Sequence, residues 1–130
     1  MIALESDAVL EFLTERHLCT LTTLRKDGSP HVVPVGATLD VPAGLMRVIS
    51  SRGSAHVRHV AAGQDRVAIC QVDGPRWITV EGRAQVLSTP DAVDEAVRRY
   101  AARYRQPRVN PERVVIQVSI TKVLGSSVFR

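Results

Sequence analysis

The sequence predicts a mainly β protein, a barrel of six strands with a few α-helices. Three observations carry this. Val, Ile and Thr make up 34 of the 130 residues, and β-branched side chains favour strands. Six apolar or alternating segments are separated mostly by tight-turn signals, among them Asp27-Gly28, Pro42-Ala43-Gly44 and Asp73-Gly74-Pro75. Strands of this length joined mainly by tight turns close, or nearly close, on themselves.

The elements follow in order. Residues 6–16 read as a helix, with Ser6 as N-cap and Val9, Phe12, Leu13 and Arg16 on one face. Residues 18–24 read as the first strand. The turn at Arg25–Ser29 leads to a second strand over about 31–39. Pro34 lies inside that strand and marks it as an edge or a bulge, because proline cannot donate to a ladder. A third strand covers 45–50, and a short helix over about 55–62 ends at Gly63. The fourth strand is 66–72 and the fifth is 76–88. In the fifth, Trp77, Thr79, Glu81, Arg83 and Gln85 alternate with Ile78, Val80, Gly82, Ala84 and Val86, so one side is polar throughout. Thr89 caps a helix with Pro90 in its first position, running to about 104. Val93, Ala96, Val97, Tyr100, Ala101 and Tyr104 fall near one face of it. A loop from Arg105 to Arg113 precedes the sixth strand, 113–124. No repeat, linker or low-complexity segment divides the chain, so residues 1–130 read as one domain.

Composition narrows the function. The net charge is +4, and 15 of the 17 basic residues are Arg. Arginine grips carboxylates and phosphates bidentately, so the excess poses the question of an anion. No apolar run approaches the ~20 residues of a membrane span, and the first residues lack the features of a secretion signal. Cys19 and Cys70, each in an apolar strand-like run, read as buried thiols of a reducing cytoplasm. Aromatic residues are only 4% of the chain, which argues against a base-stacking surface, and neither nucleic acid nor membrane is expected as a partner. A small-molecule anion is.

Ser50-Ser51-Arg52-Gly53-Ser54 stands between a strand and a helix. Backbone N–H groups at a helix start, serine hydroxyls, and the charges of Arg52, His56 and Arg58 form a loop able to hold a phosphate. Equally, Ser54 can be a plain N-cap and Arg52 a solvated side chain. The loop is not a Walker A sequence, and no G-x-G-x-x-G follows a strand. His56 and His59 have metal-ligand spacing, but no Cys or carboxylate sits at a fitting offset, so no metal site is expected. His31 reads as a groove residue or as a satisfied edge histidine. Six arginines fall within 98–113, opposed there only by Glu112. They read as contacts to a polyanionic small molecule or as a solvated face.

The order of elements resembles the split-barrel flavin-binding proteins related to pyridoxamine 5′-phosphate oxidase, in their deazaflavin-dependent branch that uses coenzyme F420. The stretches that carry the resemblance are Leu21–Arg25, Ser29–Val33, Cys70–Gly74 with Arg76-Trp77, Glu81–Ala84, Arg103–Arg105 with Pro107-Arg108, Asn110-Pro111 with Arg113–Ile116, and Val123–Ser126. Together they span nearly the whole chain. The resemblance implies a six-stranded FMN-binding split barrel, a homodimer, and a cofactor groove at the dimer interface. It implies that the backbone of Val33, Pro34, Val35 and Gly36 lies along the deazaflavin ring. It places the cofactor phosphate at Ser50, Ser51, Arg52, Gly53 and Ser54 with His56 and Arg58, and Trp77 near the ring. Relatives commonly have Lys where this chain has His56, and a neutral imidazole grips phosphate less well. The activity implied is hydride transfer from reduced F420 to a conjugated anionic acceptor, with biliverdin the expected substrate. The alternatives are an FMN-dependent oxidase or reductase of the same fold and a cofactor-binding protein without activity. No catalytic side chain is assigned, since a solvent proton can serve.

Overall fold

A computed structural model describes residues 2–130. Ser6 accepts a hydrogen bond from the Val9 amide and starts α1, Asp7–Thr14, whose Val9, Phe12 and Leu13 are buried. The strands β1 (Cys19–Leu24) and β2 (Pro30–Val35) form a hairpin across the Asp27-Gly28 turn, and β3 (Ala37–Asp40) and β4 (Leu45–Ser51) form another. After α2 (Ala55–Ala61) come β5 (Arg66–Asp73) and β6 (Arg76–Leu87). Then α3 (Pro90–Arg103) begins with the Thr89 side chain accepting from the Ala92 amide, and β7 (Arg113–Gly125) follows. A short 3-10 turn, Ser127–Phe129, seats Phe129 against Phe12 with ring centroids 5.1 Å apart.

The strands form one antiparallel sheet in the order β2-β1-β5-β6-β7-β4-β3. Its two edges, β2 and β3, are separated in sequence by Gly36 alone. The sheet therefore rolls until its edges meet at that residue, which makes it a split barrel. Here the structure departs from the sequence reading: the strand expected over 31–39 is two strands, so the barrel has seven. The cause is local. A Cβ on Gly36 would lie 2.7 Å from the Tyr100 ring and 3.0 Å from that of Tyr104. The chain must pass under both tyrosines while it leaves β1 and joins β4. Pro34 sits, as expected, in a strand paired on one side only.

The alternation of β6 holds: Ile78, Val80, Gly82 and Ala84 are buried and the intervening residues are not. At Glu81/Gly82 the pairing with β7 shifts register, and a Cβ on Gly82 would stand 2.2 Å from the Ser119 carbonyl oxygen. A bulge with glycine permits that approach. The core is built from Leu21, Met46, Val48, Ile69, Ile116 and Val118 of the strands with the buried faces of α1 and α2. Cys19 is buried and Cys70 half-buried, and both are thiols.

Arg103 ties the helices to the barrel. Its guanidinium donates to the Glu15 carbonyl, to the Ala37 carbonyl and to Gln71 Oε1, the last at 2.6 Å. Gln71 is buried and spends its Nε2 on the Phe12 carbonyl at 2.8 Å. α1, β3, β5 and α3 thus share one polar junction inside an apolar core.

Candidate functional site

β2 links the two ends of the candidate site. At its start, His31 pairs with Thr23 of β1, and Thr23, fully buried, shares a 2.9 Å hydrogen bond between Oγ1 and His59 Nδ1 of α2. At its far end Val35 pairs with Cys19, and Gly36 lies under Tyr100 and Tyr104. Four residues of strand, about 13 Å, separate these ends. The side chains of Val33 and Val35 pack against the core, while Val32 (57% exposed) and Pro34 face outward. The open side of β2 therefore offers a flat apolar strip beside backbone groups that no neighbouring strand pairs. Val32 was not among the site residues read from the sequence, although the period-2 alternation of a strand places it on the face opposite Val33.

The loop before α2 meets β2 at the His31 end. Ser50 Oγ and His56 Nε2 are 2.7 Å apart, and Ser50 Oγ donates to Ser54 Oγ at 3.3 Å. The Ser54 side chain makes no cap bond, unlike Ser6 on α1 and Thr89 on α3, so the first amides of α2 have no side-chain acceptor. Ser51 Oγ accepts from Asn110 Nδ2 at 2.6 Å, which leaves its own hydroxyl proton available. The Arg52 side chain is 62% exposed and lies 3.8 Å from Glu112, while Arg58 is exposed with no carboxylate within salt-bridge distance among the described residues. Gly53 leaves open space where a side chain would stand.

Three histidines converge here. The His31 ring stands edge-on to His59 at 5.1 Å and 6.3 Å from His56. Burial, then His31 and His59, hold the His56 pKa below its usual value. Burial, then His31, Arg25 and Arg58, do the same for His59. Both rings are therefore neutral at pH 7. His31 Nδ1 is buried and has no hydrogen-bond partner, alone in this among the buried side-chain polar atoms of the described residues. No protein group of the described residues satisfies that nitrogen, which favours the groove reading of His31. An unpaired buried acceptor or donor costs free energy unless something else meets it. The histidines are not arranged to hold a metal ion.

The structure joins β2 to α2 at His31, which stands beside His56 and His59, while Val33, Pro34 and Val35 continue along β2, and Gly36 follows it, away from that point. Trp77 stands apart within one chain. It opens β6, three strand positions from β2, about 14 Å at ordinary strand spacing. There it is 37% exposed beside Ile2, Val123 and Arg130.

The arginines of 98–113 divide in two. Arg98 and Arg99 both bind Glu95, Arg99 also reaches Asp40 at 3.2 Å, and Arg103 is the junction described above. For Arg99 and Arg103 the reading as solvated or ligand-facing is corrected, because their acceptors Asp40 and Gln71 lie outside the segment where opposing charge was counted, whereas Arg98, 68% exposed, is a solvated side chain paired with Glu95. Arg105, Arg108 and Arg113 have no carboxylate within salt-bridge distance among the described residues.

These features have counterparts in known proteins. The family model for pyridoxamine 5′-phosphate oxidase matches residues 6–127. The F420H(2)-dependent biliverdin reductase of Mycobacterium tuberculosis is 55% identical over 123 residues, covering 94% of this chain and 88% of that protein. Among solved structures, one titled F420 reductase superposes with a TM-score of 0.71 at 24% identity, over 88% of this chain and 94% of the other. A conserved hypothetical protein of M. tuberculosis superposes at 0.79 and 20% identity, over 96% of this chain and 86% of the other. At those identities the structural likeness is one of fold.

Proposed function

The chain belongs to the pyridoxamine 5′-phosphate oxidase family, and on that premise we propose that it is a reductase dependent on coenzyme F420, acting on a conjugated anionic acceptor, biliverdin first among them. The observation that carries the reading is the 55% identity, across nearly the whole chain, with a relative named for that coenzyme and that substrate. The family match to pyridoxamine 5′-phosphate oxidase keeps FMN as the rival cofactor.

The residues present fit such a coenzyme. Its phosphodiester needs donors and positive charge. The uncapped start of α2, the Ser51 and Ser54 hydroxyls, Arg52 and Arg58 supply both. The orphaned His31 Nδ1 stands where the loop meets β2. The outward strip of Val32 and Pro34, with the backbone through Gly36, suits one face of a planar ring. Hydride transfer is the chemistry that the coenzyme supplies when bound.

This chain's part is binding and positioning. The β2 edge is held against β1 through six paired residues, and Gly36 is wedged beneath two tyrosines, so the surface for the ring is rigid. Neutral His56 keeps the Ser50 hydroxyl oriented toward the loop. A positive flank stabilises charge that gathers on the acceptor as it is reduced. The proton comes from solvent. The exposed apolar side chains Leu18, Val32, Val72 and Trp77 favour a second copy of the chain as cover, in a homodimer, and the thiols Cys19 and Cys70 favour a cytoplasmic setting.

The test is a titration of purified protein with F420, reduced F420 and FMN, followed by turnover with biliverdin monitored through coenzyme reoxidation. Micromolar binding of the deazaflavin and biliverdin-dependent oxidation are expected. Binding of FMN in preference to F420 removes the cofactor assignment. Coenzyme binding without turnover of any acceptor removes the enzyme assignment.

A further inference from the structure

The donors that the Ser50–Ser54 loop holds ready are neutral hydroxyls, and a histidine sets their order. Ser50 Oγ donates to Ser54 Oγ at 3.3 Å, so the hydrogen shared by Ser50 and His56 at 2.7 Å sits on His56 Nε2. The line of bonds runs from His56 through Ser50 and ends on the Ser54 hydroxyl proton, which no cap bond uses. Ser51 accepts from Asn110 at 2.6 Å and keeps its own proton. Neutral His56 has then spent its one N–H on Ser50. A second N–H forms only when the ring takes up a proton.

The surroundings oppose that proton. The His31 ring lies 5.1 Å from His59 and 6.3 Å from His56, so a charge on one ring is felt by the next. Among the described residues no carboxylate lies within salt-bridge distance of the three rings. The charged groups facing them are cations: Arg58 of α2, and Arg25 of the turn before β2, whose guanidinium donates to the Pro30 carbonyl at 2.6 Å. Thr23 of β1, bonded to His59, is buried and neutral. On the loop itself, Arg52 is 62% exposed and has Glu112 at 3.8 Å to offset it. At pH 8 His56 and His59 are neutral even on the ordinary histidine scale of ~6.5.

These groups treat two kinds of phosphate differently. A phosphodiester, as in F420, carries one negative charge, which hydroxyl and N–H donors can meet. A phosphomonoester, as in FMN, loses a second proton with a pKa near ~6 and carries close to two charges above pH 7. Taking the second charge out of water beside neutral rings is costly unless a proton accompanies it.

We propose that the His31, His56 and His59 cluster makes this loop selective for a singly charged phosphodiester over a doubly charged phosphomonoester, with His56 as the residue that decides. The proposal rests on the functional reading above, which puts the phosphate of either cofactor at Ser50–Ser54. His56 acts here as a specificity residue, through Ser50 and Ser54, and takes no part in hydride transfer.

Wild-type protein, His56→Lys and His56→Gln are titrated at pH 8 with F420 and with two matched pairs: FMN and its phosphate methyl ester, and the deazaflavin 5′-phosphate and its methyl ester. Members of a pair share a ring and differ by one charge. The wild type is expected to favour the methyl ester at least about tenfold. His56→Lys supplies a permanent charge and should bring the monoester to parity, whereas His56→Gln, still neutral, should keep the preference. At pH 5.5 the wild-type preference should shrink, because a ring or the monoester then carries the proton. Melting temperatures show which variants fold, and the wild-type preference with its pH dependence decides the matter even where the lysine is not tolerated. Equal or tighter binding of the monoester by the wild type, a preference that a folded His56→Lys leaves unchanged, or failure of all four esters to bind overturns the proposal. Failure of the coenzyme reading looks different, since F420 and both deazaflavin esters then go unbound while the flavin pair still decides the selectivity.

Discussion

The face around α3 and the face around α2 are both rich in cations, and they treat them in opposite ways. On α3, Arg98, Arg99 and Arg103 each find protein acceptors, down to a buried glutamine and backbone carbonyls. Around α2, among the described residues, Ser54 leaves its helix uncapped, Arg58 is without an acid partner, and His31 holds a buried nitrogen that no protein group meets. For Arg99 and Arg103 the first pattern is structural. The second is a surface with donors left over. A count of arginines does not separate the two, but their partners do.

The sharpest way to break the comparison is Arg103→Ala. It removes a donor from buried Gln71, from the carbonyl of buried Ala37 and from the half-buried Glu15 carbonyl, and unmet buried groups cost about 1–3 kcal/mol each. A loss of about 3 kcal/mol or more in urea unfolding is expected. A loss below ~1 kcal/mol would place Arg103 with the solvated residues. Next in size are Arg52→Ala and Arg58→Ala. Each is expected to raise the Kd for F420 about tenfold, the value of one charge-assisted bond. Folding stability should stay within ~0.5 kcal/mol, because neither side chain supports the core. Unchanged Kd values would move the phosphate away from the loop.

Much of this was legible in sequence. The caps at Ser6 and Thr89, the edge strand marked by Pro34 and the alternation of β6 are local properties, and local rules found them. The break at Gly36 was not, because its cause is a pair of tyrosines more than sixty residues downstream. Nor was the split among the arginines, since Asp40 and Gln71 reach α3 only through the fold. For the candidate site, the loop and β2 were found as separate motifs. Their meeting through Thr23, His31 and His59 is a matter of register.

Acid distinguishes the two faces in a third way. His56 and His59 resist protonation in the folded protein, whereas in the unfolded chain they titrate near their ordinary 6.5. Below that pH the unfolded state takes up protons that the native state refuses. The stability they contribute is therefore intact above pH 6.5 and is lost as pH falls through their lowered native values. Urea midpoints measured from pH 7.5 to 5 should decline, and His56→Gln should flatten the decline. A bound anion that favours the charged rings should flatten it too, so phosphate or F420 is expected to protect more at pH 5.5 than at 7.5. A midpoint constant across this range would show that the histidine cluster is solvated.

The smallest effect belongs to the pair that looks strongest on the surface. Arg98 makes two contacts at 2.7 Å to the Glu95 carboxylate, and Glu95 is drawn down from an ordinary 4.5 to about 2 by Arg98 and then Arg99. Because the native pKa is depressed, any stabilisation is present above pH 4.5 and disappears as pH falls toward 2. Yet the Arg98 side chain is 68% exposed, and an exposed pair loses most of its Coulomb energy to water and salt. Glu95 also retains Arg99 when Arg98 is removed. Arg98→Ala should therefore leave the unfolding midpoint at pH 7 almost unmoved, and what difference there is should vanish in molar salt. A large, salt-resistant loss would place Arg98 in the structural junction with Arg103 and would make partner geometry, rather than burial, the rule that separates the two faces.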